Sequence, residues 1–158
     1  TEEDENTLWQ VNYQEPIRLM RHVAERNRKI RLVQLSSLAA LCPHPYLAAY
    51  SASKAALQTY CLALQEELRL KGSAVTVCLY ILGPVQTAIF PPELQNALGG
   101  SQLQMSSEIA ARCIIRLLHK GRSYAIVGKR YRLLAWLMKL LPQRWIIRLI
   151  GAYLRKGL

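Results

Sequence analysis

The chain has 158 residues, 51% of them hydrophobic and 20% charged. That balance describes one folded domain with a real core and excludes both a disordered tail and a pair of large domains. The net charge of +11 is unevenly placed: residues 1–108 hold nine Lys or Arg and all ten acids, whereas residues 109–158 hold twelve Lys or Arg and no acid. A basic block of this kind favours phosphate-rich surfaces, either nucleic acid or anionic lipid.

Cys42, Cys61, Cys78 and Cys113 lie far apart with no Cys-x-x-Cys pair, so they read as reduced intracellular thiols. No zinc spacing joins them to His22, His44 or His119, and no metal site is expected. Thr1 to Glu5 are acidic and polar, unlike a signal peptide. The first residue is not Met, so the expectation is a chain that begins partway through something larger.

Along the chain, Leu8, Val11, Leu19, Met20 and Val23 predict a helix over about residues 7–28, with Pro16 at a first turn or a kink. Ile30 to Leu35 predicts a short buried strand that ends in Ser36-Ser37, and residues 41–46, with two prolines around His44, predict a loop. Residues 48–70 are Ala- and Leu-rich and predict a long helix, closed by Gly72 and Ser73. The β-branched run 74–81 predicts a second strand. Residues 83–100, with three prolines and three glycines, predict a mobile loop or lid. A helix over 107–118, a strand near 124–127 and a helical stretch over 131–155 broken at Pro142 complete the order. Helices alternating with continuous apolar strands predict a parallel sheet with crossover connections.

Tyr50-Ser-Ala-Ser-Lys54 places a phenol and an ammonium at i and i+4, stacked on one helix face. A lysine beside a tyrosine favours the phenolate and lowers its pKa, so the pair suits proton exchange with an alcohol or carbonyl. Alone, this spacing arises easily on a solvated helix. Ser37, however, ends the preceding strand at the carboxyl edge, where open α/β sheets place their sites. Leu82-Gly-Pro-Val-Gln-Thr87 follows the next strand directly, with Gly83 permitting a tight turn and Val85 and Thr87 within reach of a polar ligand. His44, in the loop before Tyr50, reads as either a substrate contact or, by preference, a solvent-facing loop residue, and His22 and His119 read as surface residues. Glu66-Glu67 is not an acid/base dyad, because adjacent helical residues do not share a face.

Val11-Asn12, Leu35-Ser-Ser37, Ala49-Tyr-Ser-Ala-Ser-Lys-Ala-Ala56 and Gly83-Pro-Val-Gln-Thr87, in this order and context, resemble the short-chain dehydrogenase/reductases over about residues 7–128. The resemblance implies an α/β fold, the C-terminal half of a Rossmann-like doubly wound parallel sheet. It implies Tyr50 as general acid/base, Lys54 as the group that holds the nicotinamide ribose and lowers the Tyr50 pKa, and Ser37 as the group that orients the substrate oxygen. It implies Asn12 as the holder of a water that links Lys54 to bulk solvent, and Val85 and Thr87 as binders of the nicotinamide carboxamide on a loop shaped by Gly83. The cofactor it implies is NAD or NADP, with NADP slightly preferred, and the full-length form would be a homodimer. Leu82 stands where most of the family has Pro, a change shared by some members that act on lipophilic substrates. The family's Thr-Gly-x-x-x-Gly-x-Gly phosphate loop is absent from these residues and would precede Thr1.

The expected organisation is therefore a partial catalytic domain over 1–128 and a basic amphipathic helical tail over 129–158, whose helices either lie on a membrane surface or pack on the catalytic domain or at a dimer contact. The expected function is oxidation or reduction between a hydroxyl and a carbonyl on a lipophilic substrate (steroid, retinoid or long-chain lipid). The alternative is a catalytically silent interaction or membrane-docking module. Nucleic acid is not an expected partner, since the basic residues of the tail alternate with Leu, Ile and Trp. An anionic membrane surface is, which makes the endoplasmic reticulum or another lipid surface the alternative to a cytoplasmic location.

Overall fold

The structure, a computed structural model, describes residues 1–26, 28–87 and 104–155. Three parallel strands form the sheet: β1 (Ile30–Ser37), β2 (Val75–Leu82) and β3 (Tyr124–Ile126), in the order β1-β2-β3. The mixed α/β fold with a parallel sheet is as the alternation of elements implies. The central strand β2 is buried almost throughout because helices cover both its faces, which is why it reads as an unbroken apolar run.

The first helical stretch comprises α1 (Glu2–Trp9), a π-helical turn (Gln10–Gln14) and α2 (Glu15–Ala24). It begins earlier than hydrophobic spacing predicts because α1 buries no residue; Thr1 and Asp4 form a capping box and four acids occupy its first turn. Pro16 sits directly after the π turn and supplies no amide to the carbonyl four or five residues back, Asn12 or Val11. The long helix α3 (Ala48–Leu70) falls on the predicted range. Met20 and Ile17 of α2 and Leu57, Cys61 and Leu68 of α3 pack with Val75, Val77 and Leu79 of β2 into one dry cluster. Each fully buried side chain of this size contributes roughly 1.5–3 kcal/mol.

The second cluster lies around the other side of β2. Cys78, Tyr80 and Ile81 meet Ala110 of α4 (Ser107–His119), Val127, and Tyr131 and Ala135 of α5 (Lys129–Leu140). α5 thus shares a core with β2 although the sequence assigns residue 129 onward to a tail. A last helix, α6 (Gln143–Arg155), follows the break at Pro142 and buries Ile146 and Leu154. The predicted lid falls, for residues 88–100, outside the described residues. Among the described residues no helix is long and apolar enough to cross a membrane.

Candidate active site

Parallel register assembles the site. Ser37, the last residue of β1, pairs with Leu82, the last of β2, so Ser37 and the Gly83 loop leave the sheet side by side at its carboxyl edge. The 3-10 turn after Ser37 (Leu38–Ala40) is capped by Ser37 Oγ, which accepts from the Ala39 N–H at 3.2 Å. The chain then swings through 41–47 into α3, whose first turns carry Tyr50 and Lys54.

Ser37, Tyr50, Lys54, Gly83, Val85 and Thr87 all line one cavity of about 960 Å³. Asn12 does not line it. Its Nδ2 donates to Ser53 Oγ at 3.4 Å, and Ser53 Oγ donates to the Tyr50 carbonyl at 2.8 Å. Asn12 therefore acts on the site from behind α3, through the backbone of Tyr50. Ser53, fully buried, is the link that spacing alone did not single out. Ser36 also reaches α3, donating to the Lys54 carbonyl at 3.3 Å.

The electrostatics differ from expectation. Burial pushes the Tyr50 phenol above its ordinary value, and the hydrogen bond from Ser37 pulls it only part of the way back. Burial lowers the Lys54 ammonium. Lys54 Nζ lies 5.8 Å from the centre of the Tyr50 ring, over its face. Tyr50 in this state keeps its proton at neutral pH.

Gly83 also has a different reason from the expected tight turn. A Cβ there would stand 2.5 Å from the ring of Tyr131, so the glycine is required by the close approach of α5. Tyr131 Oη donates to the Pro84 carbonyl at 3.1 Å, and Arg130 donates to Tyr131 Oη and to the Gln104 carbonyl, each at 3.2 Å. On the far side of the loop, Met105 N–H donates to Pro84 and Gln86 N–H to Met105, each at 2.9 Å, forming a bridge between Val85 and Met105. This pattern uses the neighbours of Val85 and turns Val85's own N–H and C=O away from Met105; Thr87 Oγ1 lies 3.5 Å from that carbonyl.

His44 is not the solvent-facing loop residue the sequence suggests. It lines the cavity and its Nδ1 lies 2.8 Å from the Cys42 carbonyl. Burial lowers its pKa against a smaller opposing effect of that bond, so the ring is neutral at pH 7 with Nδ1 as the donor. His22 and His119 are exposed, as expected. The rest of the cavity wall is apolar and comes largely from α5 and α6, including Leu134, Leu137, Met138, Ile146 and Ile150.

The family model described as short chain dehydrogenase matches residues 1–97. A hydroxysteroid 11-beta-dehydrogenase 1-like protein of Xenopus tropicalis is 41% identical over 56 residues, 35% of this chain and 20% of that protein. An 11-beta-hydroxysteroid dehydrogenase A of Sesamum indicum is 27% identical over 139 residues, 79% of this chain and 39% of that one. Among solved structures, a short chain dehydrogenase of Burkholderia cenocepacia in complex with NADP superposes with a TM-score of 0.73 at 21% identity, covering 96% of this chain and 61% of that chain. The last likeness shows the fold. The chain spans well under half the length of these two curated relatives.

Proposed function

The chain belongs to the short-chain dehydrogenase family, and on that footing we propose that it carries the catalytic residues of an NAD(P)-dependent oxidoreductase that interconverts a hydroxyl and a carbonyl on a lipophilic substrate. The observation that carries this reading is a protonated phenol, Tyr50, bonded by Ser37 and opening onto a large cavity with Leu, Ile and Met walls. A bound nicotinamide dinucleotide supplies or accepts the hydride. In reduction Tyr50 gives its phenolic proton to the substrate oxygen, and in oxidation its phenolate takes the hydroxyl proton back. Ser37 donates to the same oxygen and fixes its place. The Asn12–Ser53 pair holds the first turns of α3, and with them Tyr50, in register.

The donor set suits the ribose and carboxamide end of such a cofactor. Lys54 is a half-buried ammonium with no hydrogen-bond acceptor among the described residues, so ribose hydroxyls would complete it. Val85 offers a peptide N–H and C=O, and Thr87 a hydroxyl, on a loop held from both sides. The cofactor is NADP or NAD, with NADP slightly preferred; one solved neighbour holds NADP and another NAD.

The cavity supports the substrate class. Its volume is at the upper end of the roughly 300–1,000 Å³ of small-molecule sites, and few polar groups interrupt its apolar wall. A steroid, retinoid or long-chain ketone fits that wall, and the two curated relatives named for hydroxysteroids support the first of these. The test is NADPH consumption by the full-length protein with lipophilic ketones compared with small water-soluble ones. Turnover confined to the lipophilic set supports the reading. Turnover of the soluble set alone contradicts the substrate class, and no turnover by folded protein favours the silent docking module.

A further inference from the structure

The helices that close the cavity carry a second apolar surface that the fold does not use. On α5, Tyr131, Ala135 and Met138 face inward, at i, i+4 and i+7. Leu133, Trp136, Leu137 and Leu140, at i, i+3, i+4 and i+7, form a separate row on the outer side. Leu133 is 58% exposed, Trp136 56% and Leu140 61%. A helix apolar on opposite sides belongs in a core or against a membrane, and the core takes only one side of this one. On α6 an exposed apolar row lies next to the inward one: Ile146, Ile150 and Leu154 point inward, and Trp145, Leu149 and Tyr153, at i, i+4 and i+8, each precede one of them and are exposed. Beside that row run Arg144, Arg148 and Arg155, all exposed.

Two observations fix the occupant. Residues 109–158 contain no acid, so every charged side chain on α5 and α6 is basic, which suits an anionic lipid surface. Leu137, Leu141, Leu149 and Tyr153 each line the cavity and are exposed as well, so the apolar rows border the cavity's rim. We propose that α5 and α6 dock the protein on anionic lipid bilayers. Trp136 and Trp145 lie at headgroup level, the arginines of α6 pair with lipid phosphates, and the cavity opens toward the acyl chains. Substrate entry from the bilayer rests on the oxidoreductase reading; the docking itself does not.

The experiment is vesicle flotation of the full-length protein at low salt, with phosphatidylcholine vesicles with and without phosphatidylserine. The intact protein is expected to float with the anionic vesicles and to be released by salt. The exposed triple variant Arg144→Gln/Arg148→Gln/Arg155→Gln should partition at least about tenfold less, and Leu133→Ser/Trp136→Ser/Leu140→Ser/Trp145→Ser should stay unbound. Should that last variant not fold, the Trp9→Phe protein serves instead: its tryptophan emission should shift to the blue on adding anionic vesicles and be quenched by brominated lipid. Wild-type protein that stays soluble with anionic vesicles, emission that does not move, or a serine variant that floats unchanged overturns the proposal. Loss of a dimer in the serine variant, with no flotation of the wild type, assigns the face to contact between copies and also overturns it. Flotation needs no turnover, so a protein that floats but reduces no ketone sinks the oxidoreductase reading alone, and the converse sinks the docking alone.

Discussion

The two sides of β2 are built from the same kind of residues and do different work. On one side Val75, Val77 and Leu79 meet α2 and α3 in a sealed cluster with Met20, Leu57 and Cys61. Burial pushes the Cys61 thiol up to about 12, leaving it inert. Around the other, Tyr80 and Ile81 lead through Met105 and Tyr131 to a cluster that borders the 960 Å³ cavity. The sealed side can spend every apolar atom on stability. The cavity side leaves apolar wall unfilled, and its Gly83 loop is held by Tyr131 on one side and Met105 on the other. Substitutions on the first should therefore change stability and not chemistry, and those on the second should separate the two.

The largest stability effect is expected at Leu57, which is 1% exposed in the sealed cluster. Leu57→Ala should cost about 2–5 kcal/mol in denaturant unfolding, while the residual folded protein keeps its turnover. Equal loss of turnover per folded molecule would break the division between the two sides. Gly83→Ala is next. Its Cβ meets the Tyr131 ring, and the shift this forces should cost about 1–3 kcal/mol. Gly83→Ala combined with Tyr131→Leu should lose less than the two single losses added, because the clash is shared; strict additivity would mean that α5 does not hold the loop. Ser37→Ala should have the smallest effect on stability and a diagnostic one on pH. The Ser37 hydrogen bond lowers the Tyr50 pKa, so its loss raises it. Carbonyl reduction needs the protonated phenol, so the alkaline limb of its pH–rate profile should move to higher pH, and the onset of alcohol oxidation should move with it. A shift toward acid would contradict the assignment.

How much of this was legible in the sequence depended on the range of the interactions. Element order and the α3 and β2 boundaries followed from local propensity and periodicity. Ser37, Tyr50, Lys54, Val85 and Thr87 share a cavity because each sits at a strand end, in the loop that follows a strand or in the first two turns of a helix, positions that a strand–helix pattern reveals. What stayed hidden was set by contacts across the chain. Gly83 looks like any turn glycine until Tyr131 is placed over it, 48 residues on in sequence. His44 looks like a solvated loop residue until the Cys42 carbonyl and the cavity wall are in place. The direction of the Tyr50 shift depended on how deeply the phenol is buried, which i, i+4 spacing leaves open. The tail's apolar residues were visible, but their division into an inward and an outward row needed the buried partners of Tyr131 and Ala135.

The central claim, that Tyr50 is the proton donor of a carbonyl reduction on the open side of the sheet, is tested most directly by Tyr50→Phe in the full-length protein, with turnover and melting temperature measured on one preparation. Removing one hydroxyl from the cavity wall leaves both clusters intact, so the melting temperature and the affinity for NADPH should stay close to those of the wild type. Turnover should fall by about 10²–10⁴-fold, the usual contribution of a positioned proton donor. Turnover equal to the wild type at an unchanged melting temperature would contradict the assignment of Tyr50.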